Sequence, residues 1–258
     1  MSNKNKLVEV FDKNALAYDK YRPKYPDQLI EKLIALSGSS PNNQVLEIGC
    51  GTGQITSPLL KKGFKITAIE KGKSLADLGR SNIINYPNGN IIHADFETWK
   101  TAEQFDLVLS AQAFHWIEME SGINKVSDLL RVNGSFVIVW YTDVSQETPF
   151  WKASTHVYDK YFPANKKYHP VPQHIIEYGN YLKHHKHFRD FTHREYLWSK
   201  TYDKESYLGL LSTFSDHMTL ETKKRKRFFE EIETLIDEFG GLITKHYKAY
   251  ILCAKKNC

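Results

Sequence analysis

Residues 45–54 read V-L-E-I-G-C-G-T-G-Q, a short apolar run that passes directly into three glycines at alternate positions. Glycine allows positive φ angles and lets a ligand approach the backbone closely. The G-x-G-x-x-G spacing of dinucleotide-binding loops is absent, because the third glycine, Gly53, comes one residue early. Glu47 precedes the loop, where a carboxylate would repel a pyrophosphate and suit a positive amine. The stretch therefore predicts a ligand-binding loop between a strand and a helix, and argues against nicotinamide-dependent oxidoreduction.

Strand and helix patterns alternate on both sides of this loop. Near-continuous apolar segments separated by helices imply a parallel sheet covered on both faces. We therefore expect an α/β fold with a doubly wound, mostly parallel, seven-stranded Rossmann-like sheet that binds its ligand at the strands' carboxyl ends. The predicted strands are 44–49, 65–70, 90–95, 105–112, 135–140, 193–202 and 243–254, the last as an antiparallel edge. The predicted helices are 26–37, 54–62, 73–83, 122–132 (stopped by Asn133-Gly134), 149–162, 203–214 and 222–239, while 163–190 show no clean period.

The chain of 258 residues fits a single domain of ordinary globular composition, with 41% hydrophobic and 25% charged residues. We divide it into an N-terminal arm and helix (1–42), a core that holds the glycine loop (43–141), a helical and aromatic cap (142–192), and C-terminal elements that complete the sheet (193–258). A satellite hydrophobic cluster is the alternative interpretation of the many aromatic residues in 141–200. If the segment is a cap, its aromatic and basic side chains suit a small, partly apolar anion.

Composition excludes several other classes of protein. No apolar run approaches the roughly 18 residues that span a bilayer, and the first ten residues lack the apolar stretch of a secretory signal. Three cysteines (Cys50, Cys253 and Cys258) cannot form a disulfide framework or an all-cysteine zinc site. We therefore expect a cytoplasmic protein without a membrane partner.

The net charge of +5 is unevenly distributed. Residues 1–130 balance 15 basic against 15 acidic side chains, whereas residues 131–258 hold 20 basic and 15 acidic ones. A modest positive field favours an anionic ligand without establishing nucleic-acid binding. The dense run K-K-R-K-R at 223–227 fits either the solvated face of a helix or a binding patch.

The loop and the strand ends that follow it form an ordered set of motifs. Glu70 ends the second predicted strand, H-A-D-F (93–96) ends the third, L-S-A-Q-A-F-H-W (109–116) ends the fourth, and V-N-G-S-F-V-I-V-W (132–140) contains the fifth. Together with E-I-G-C-G-T-G (47–53), this set resembles the class I S-adenosylmethionine-dependent methyltransferases over roughly residues 43–141. The resemblance implies S-adenosyl-L-methionine as the methyl donor and S-adenosyl-L-homocysteine as the product.

The resemblance also implies roles for individual residues. Glu47 and the glycine loop would hold the methionine end, and Glu70 would accept hydrogen bonds from the ribose hydroxyls. Asp95 would contact the adenine amino group, with Phe96 packed on the ring. The implied cofactor-binding residues are Tyr18, Arg22, Glu47, Gly49, Cys50, Gly51, Thr52, Gly53, Glu70, Lys71, Asp95, Phe96, Ser110, Ala111 and Gln112.

A closer resemblance lies upstream of the core. F-D-K-N-A-L-A-Y-D-K-Y-R-P-K-Y-P (11–26), paired with A-F-H-W (113–116), is similar to small-molecule methyltransferases of the trans-aconitate and cantharidin group and of ubiquinone and menaquinone biosynthesis. In such enzymes the segment folds over the cofactor, which implies that Tyr18 and Arg22 lie near the methionine moiety. Plain packing of an aromatic arm is the alternative interpretation of the tyrosines.

His115 is the candidate catalytic residue, with three possible roles. It fits a general base, an orienting hydrogen-bond donor to an anionic acceptor, or a histidine that supports its loop. A base is needed where the acceptor must lose a proton, as a hydroxyl does, whereas a carboxylate needs none. No catalytic metal is expected, because the fourth strand ends without the required carboxylates and the histidines of H-H-K-H (184–187) lack further zinc ligands.

These features predict an S-adenosylmethionine-dependent methyltransferase that acts by in-line displacement on a small, anionic acceptor, at a carboxylate or hydroxyl oxygen. A tRNA or rRNA methyltransferase is the alternative, supported by the basic second half of the chain, although no recognisable RNA-binding module is appended. A third hypothesis is a binding module that has lost catalytic activity. Loss of the motif acids would indicate such a module, but these acids are present. We expect a monomer or homodimer without a nucleic-acid partner.

Overall fold

The computed structural model describes residue 12 and residues 14–145, 147–162 and 172–257. Seven strands in these residues form one sheet: β1 (Gln44–Ile48), β2 (Lys65–Glu70), β3 (Gly89–His93), β4 (Phe105–Ala111), β5 (Leu130–Asp143), β6 (Phe188–Asp203) and β7 (Leu242–Lys256). The helices are α1 (Ala15–Tyr21), α2 (Asp27–Ser37), α3 (Thr56–Lys61), α4 (Lys73–Asn82), α5 (Met119–Leu129), α6 (Pro149–Tyr161), α7 (Gln173–His184), α8 (Lys204–Leu211), α9 (Ser215–Met218) and α10 (Thr222–Glu238). A 3₁₀ turn, Phe114–Trp116, follows β4.

The strand order is β3-β2-β1-β4-β5-β7-β6. Strands β1 to β5 are parallel, and Val45 of β1 pairs with Ile66 of β2 on one side and with Leu107 of β4 on the other. The winding of the chain reverses between β1 and β4, so a crevice opens at their carboxyl ends. The structure confirms the predicted doubly wound, mostly parallel, Rossmann-like sheet with an antiparallel last strand.

The place of the last strand differs from the predicted edge. β7 lies inside the sheet, antiparallel to both β5 and β6, and β6 is the edge strand. The physical reason can be read in the side chains. Residues 249–254 of β7 are buried without a break, as in an internal strand. In β6 most side chains are exposed or partly exposed and several are charged, which suits an edge.

Two apolar clusters cover the faces of the sheet. On one face, α5 and α7 pack against β4, β5 and β7 around Phe136 and Trp140. On the other face, α2, α3 and α4 pack around Leu107 and Val139. Each large apolar side chain that is fully buried contributes about 1.5–3 kcal/mol to the burial free energy, so these two layers hold the strand ends in fixed positions.

A third apolar cluster lies at the end of the β6–β7 hairpin. It joins α6, α8 and α10 through Phe150, Tyr207, Phe228 and Ile232. The segment expected to form the cap is therefore divided, because α6 belongs to this cluster whereas α7 lies on the sheet. Residues 163–171 of that segment, and residues 1–11 and 13 of the expected arm, lie outside the described residues.

The boundary between α5 and β5 is wrong in the prediction. α5 begins at Met119, where the Glu118 carboxylate accepts hydrogen bonds from the N–H groups of Glu120 and Ser121, and it ends at Leu129. The dipeptide at 133–134, interpreted as a helix stop, lies inside β5 at an irregularity in the pairing with β4.

Helix α7 falls in the segment that we interpret as aperiodic. Its buried side chains are Ile175, Tyr178 and Leu182, which are three and four residues apart and so share one helix face. The helical period is therefore present but short.

Candidate active site

A cavity of about 680 Å³ opens at the carboxyl ends of β1, β2 and β4. This is the position where doubly wound sheets bind ligands, and the volume lies within the ordinary range for small-molecule sites, about 300–1,000 Å³. The residues that line it are Tyr18, Arg22, Pro23, Tyr25, Glu47, Ile48, Gly49, Cys50, Gly51, Gln54, Ile55, Ile69, Glu70, Lys71, Leu75, Ala94, Asp95, Phe96, Glu97, Ala111, Gln112, Ala113, His115, Trp116, Ile117, Glu118, Tyr141 and Ser215.

The glycine loop packs closely against the turn that follows β4. Gly49, Gly51 and Gly53 have φ angles of 71°, 58° and 92°. A Cβ atom on Gly49 would lie 2.3 Å from the Cβ of Ala113, so a side chain there would displace the turn. The Gly49 N–H donates to the carbonyl of Ile69 at 2.8 Å, which joins the loop to β2. Glycine is therefore required at position 49 for both conformation and space.

Glu70 connects the loop to the segment before α4. Its side chain is buried, and Oε2 accepts a hydrogen bond from the Gly51 N–H at 2.9 Å. Oε1 accepts from the Gly72 N–H at 2.8 Å. Burial raises the pKa of Glu70, and the two N–H donors oppose that rise. The carboxylate thus supports the loop while it also lines the cavity.

Glu47 is the second buried acid of the cavity, with 2% of its surface exposed. The Thr56 hydroxyl donates to its Oε2 at 2.6 Å. Burial raises the pKa of Glu47 to about 8, and the negative charge of Glu70 adds to the rise. A cation bound beside Glu47 would favour the ionised carboxylate and lower that pKa.

Asp95 lies after β3 and is partly exposed. Its Oδ2 is 2.8 Å from Nζ of Lys71, and its Oδ1 accepts from the Glu97 N–H at 3.0 Å. Burial by itself would raise the pKa of Asp95, but the hydrogen bonds from Lys71 and Glu97 outweigh it and hold the pKa below its ordinary value. Asp95 is therefore an ionised hydrogen-bond acceptor, and the buried ring of Phe96 lies next to it on the cavity wall.

The 3₁₀ turn brings His115 to the cavity. Nε1 of Trp140, on β5, donates a hydrogen bond to Nδ1 of His115 at 3.1 Å. The hydroxyl of Tyr178, on α7, donates to the carbonyl of Phe114 at 3.2 Å. These contacts attach the turn to the sheet and to α7, so that the position of the His115 ring is set by the core.

The N-terminal arm forms another side of the cavity. The guanidinium of Arg22 lies 4.7 Å from the centre of the Phe214 ring and 5.2 Å from that of Tyr18. Its Nη2 donates to the carbonyl of Thr213 at 2.8 Å. These contacts join the arm to the α8–α9 connection and bring Tyr18, Arg22 and Ser215 to one wall.

Comparison with known proteins finds a methyltransferase domain in the part of the chain that carries the cavity. Residues 45–134 match the methyltransferase domain family. An uncharacterized methyltransferase of Mycobacterium tuberculosis is 29% identical over 126 residues, 49% of each chain. A malonyl-[acyl-carrier protein] O-methyltransferase of Priestia megaterium is 30% identical over 142 residues, 53% of this chain and 52% of the relative. The chain therefore contains a methyltransferase domain, and its matched part is similar to S-adenosylmethionine-dependent methyltransferases.

These matches concern the methyltransferase domain, since the aligned part of this chain spans about half the length of both relatives. Solved structures extend the likeness in fold to the rest of the chain. A methyltransferase of Thiobacillus denitrificans, solved with S-adenosyl-L-homocysteine, superposes with a TM-score of 0.55 at 12% identity, covering 98% of each chain. The likeness in fold therefore extends to the C-terminal β6–β7 hairpin.

Most of the site residues predicted from the methyltransferase motifs line the cavity. They are Tyr18, Arg22, Glu47, Gly49, Cys50, Gly51, Glu70, Lys71, Asp95, Phe96, Ala111, Gln112 and His115. Thr52, Gly53 and Ser110 are not among the lining residues. The buried Thr52 hydroxyl donates to Asp19, and the buried Ser110 hydroxyl donates to the carbonyl of Ile48 at 2.8 Å. These hydroxyls support the loop and the strand end.

Several lining residues were not predicted as site residues. The Tyr141 ring lies 5.8 Å from that of Tyr25, and Nε2 of Gln112 donates to the Tyr141 carbonyl at 2.8 Å. Both tyrosines carry a sequence signal, since Tyr25 belongs to Y-R-P-K-Y-P and Tyr141 follows the fifth predicted strand. Ser215 carries no such signal, because its place depends on the packing of α9 against the arm.

The remaining candidate features lie outside the lining of this cavity. Within residues 14–145, 147–162 and 172–257, and including Asp12, no three His, Cys, Asp or Glu side chains are grouped so as to hold a metal ion. The basic side chains at 223–227 are on the first turns of α10, mostly exposed, and none of them lines the cavity. Among the described residues, no helix is long and apolar enough to cross a membrane.

Proposed function

We propose that this protein transfers a methyl group from S-adenosyl-L-methionine to an oxygen atom of a small, anionic molecule. The observation that carries the proposal is the convergence of three acids, Glu47, Glu70 and Asp95, with the glycine loop on one cavity. Glu47 belongs to β1, Glu70 ends β2 and Asp95 follows β3, and these three strands are adjacent in the sheet. This arrangement suits a ligand with an amine, a pair of hydroxyls and an aromatic amino group.

The three carboxylates and the glycine loop fit S-adenosylmethionine on chemical grounds. A carboxylate accepts hydrogen bonds from an ammonium, from hydroxyls or from an amino group. Glu47 and the glycine loop would hold the methionine end, and Glu70 would hold the ribose. Asp95 would accept from the adenine amino group, with Phe96 against the ring. Gly49 fits this assignment, because its lack of a side chain leaves the backbone of the loop accessible.

The acceptor would bind between the arm and the 3₁₀ turn. S-adenosylmethionine, when bound, supplies a methyl group activated by its sulfonium. The residues of this chain then position the acceptor in line with that methyl group and exclude water. Tyr18 and Arg22 of the arm line this cavity together with His115, Trp116 and Tyr141.

The anionic character of the acceptor is supported by the positively charged guanidinium of Arg22 on the cavity lining. An oxygen acceptor is supported by the relative named a malonyl-[acyl-carrier protein] O-methyltransferase. A carboxylate and a hydroxyl both satisfy these two observations. They differ in chemistry, because a hydroxyl must lose a proton to a base and a carboxylate has none to lose.

Activity with a labelled methyl group tests this proposal. The purified protein is incubated with methyl-labelled S-adenosylmethionine and, separately, with small carboxylic acids, phenols, quinols and total RNA. We expect label in a small acid or phenol, loss of that transfer in Asp95→Ala, and normal transfer in Glu103→Ala, an exposed acid remote from the cavity lining. Cofactor binding without transfer to any small molecule would contradict the proposed acceptor class.

A tRNA or rRNA acceptor is the second candidate, and the exposed basic run on α10 is the observation in its favour. Binding through phosphate contacts would weaken steeply as salt concentration rises. Transfer of label to RNA, together with salt-sensitive RNA retention in a gel shift, would replace the small-molecule proposal. Substitution of Lys223, Lys224 and Lys226 by alanine would then abolish the retention.

A further inference from the structure

The contact between Trp140 and His115 determines which ring nitrogen of the histidine carries hydrogen. An indole N–H can donate and cannot accept. Because it donates to Nδ1 of His115 at 3.1 Å, Nδ1 holds a lone pair and no hydrogen. A neutral imidazole then carries its hydrogen on Nε2. Protonation of Nδ1 would set two N–H groups against each other, so the contact favours the neutral Nε2–H tautomer.

Trp140 is held in place by the core. It is 1% exposed, and its ring lies 5.1 Å from that of His174 and 5.2 Å from that of Tyr178. The Tyr178 hydroxyl also binds the carbonyl of Phe114, so one cluster positions both the indole and the turn that carries the histidine. Burial lowers the pKa of His174, which favours the neutral form of this neighbouring ring.

We infer that Trp140 is a positioning residue that restricts His115 to donating a hydrogen bond from Nε2, so that the methyl acceptor is a carboxylate rather than a hydroxyl. The inference rests on the proposed function and selects between the two acceptor oxygens that it leaves open. Nε2 carries the hydrogen and the Nδ1 lone pair is occupied by the indole, so neither nitrogen accepts a proton from a hydroxyl. His115 therefore supplies no base to a hydroxyl acceptor, whereas a carboxylate needs none.

A carboxylate acceptor balances the reaction without a base. A lone pair of the carboxylate oxygen forms the new O–C bond while the S–C bond breaks. The bonding pair stays on sulfur, which becomes a neutral thioether, and no proton moves. The task of His115 is then to orient the anion with one hydrogen bond from its Nε2–H group, which keeps its hydrogen throughout the transfer.

Nitrogen NMR of the histidine side chains tests the tautomer without a methyl acceptor. In ¹⁵N-histidine-labelled protein at pH 7, with the His115 signals assigned by their loss in His115→Gln, we expect hydrogen on Nε2 and none on Nδ1. Trp140→Phe keeps an aromatic ring without the N–H and should produce a mixture of tautomers. Trp198→Phe, which removes an indole from the other apolar clusters, should leave the His115 signals unchanged.

The wild-type spectrum decides the question even if Trp140→Phe does not fold. An Nδ1–H or doubly protonated His115 in the wild-type protein would overturn the inference, as would wild-type His115 signals in folded Trp140→Phe. These outcomes are independent of activity. Failure of the wild-type protein to bind S-adenosylhomocysteine would instead overturn the proposed function, whatever the tautomer.

Kinetics with the panel of small carboxylic acids supplies a second readout. His115→Gln retains a side-chain N–H donor and should keep kcat/KM within about 10-fold of wild type. His115→Phe loses the donor and should lose about 10- to 100-fold, the value of one hydrogen bond to a charged group. A general base predicts a different pattern, in which both variants lose about 100-fold or more in kcat alike. That pattern would overturn the assignment of His115 as a donor.

Discussion

Replacement of Glu70 by alanine should destabilise the fold as well as weaken cofactor binding. The carboxylate accepts two backbone N–H groups, those of Gly51 at 2.9 Å and Gly72 at 2.8 Å. A buried donor left without a partner costs about 1–3 kcal/mol, so two cost about 2–6 kcal/mol. Burial raises the pKa of Glu70, which shows that removing the carboxylate also relieves a desolvation cost. We therefore expect the free energy of unfolding to fall by about 2–4 kcal/mol.

Urea unfolding at pH 7, followed by circular dichroism, measures this loss. Glu70→Gln should lie between wild type and Glu70→Ala, because its amide oxygen satisfies one N–H while its NH₂ faces the other. Calorimetry should show S-adenosylhomocysteine binding at least about 10-fold weaker in Glu70→Ala, the value of about 1.4 kcal/mol of lost interaction. Glu103→Ala, an exposed acid, serves as the matched control. If Glu70→Ala unfolds at the same urea concentration as this control, the proposed support of the glycine loop by Glu70 is wrong.

Three further substitutions test other parts of the structure. Gly49→Ala places a Cβ atom 2.3 Å from that of Ala113 at a φ of 71°. It should lower the free energy of unfolding by at least about 1 kcal/mol and abolish S-adenosylhomocysteine binding in calorimetry. Unchanged binding would contradict the close packing of the loop. Glu47 has a pKa of about 8 in the folded chain and 4.5 ordinarily, so its contribution to stability is complete below pH 4.5 and lost as the pH rises through 8, about 4–5 kcal/mol in total. Urea unfolding at pH 5, 7 and 9 should show this decline in wild type and not in Glu47→Gln. If the free energy of unfolding changes with pH equally in both proteins, Glu47 does not cause the decline. Lys245 is 3% exposed and forms an ion pair with Asp143, which is partly exposed. Lys245→Met should therefore lower the free energy of unfolding by about 2–3 kcal/mol, somewhat less than the loss for a fully buried pair. An unfolding curve of Lys245→Met that matches wild type would show that the ion pair does not stabilise the fold.

The parallel half of the sheet can be predicted from sequence because each strand is an apolar run bounded by turn residues. The predicted bounds 44–49 and 65–70 agree with β1 and β2 to within one residue. The place of β7 is harder to predict, because an apolar run shows that a strand is internal without showing which strands flank it. The irregularity at Asn133 is similar, since it arises from pairing with β4 and its residues resemble an ordinary turn.

The same distinction applies to the site. Glu70 and Asp95 converge because parallel strands end at one edge of a sheet, and a pattern of strands that end in acids is visible in the sequence. The bond from Trp140 to His115 is not visible there, because it depends on the angle at which the 3₁₀ turn leaves β4. Ser215 reaches the cavity through contacts of Arg22 with the α8–α9 connection, which no local pattern encodes.

Calorimetric titration of S-adenosylhomocysteine into the wild-type protein tests most directly whether the cavity at the carboxyl ends of β1, β2 and β4 is the cofactor site. We expect saturable binding of one molecule per chain, unchanged in Glu103→Ala and abolished in Gly49→Ala. Absence of saturable binding to the folded wild-type protein, or binding of equal strength in Gly49→Ala, would contradict the assignment of this cavity.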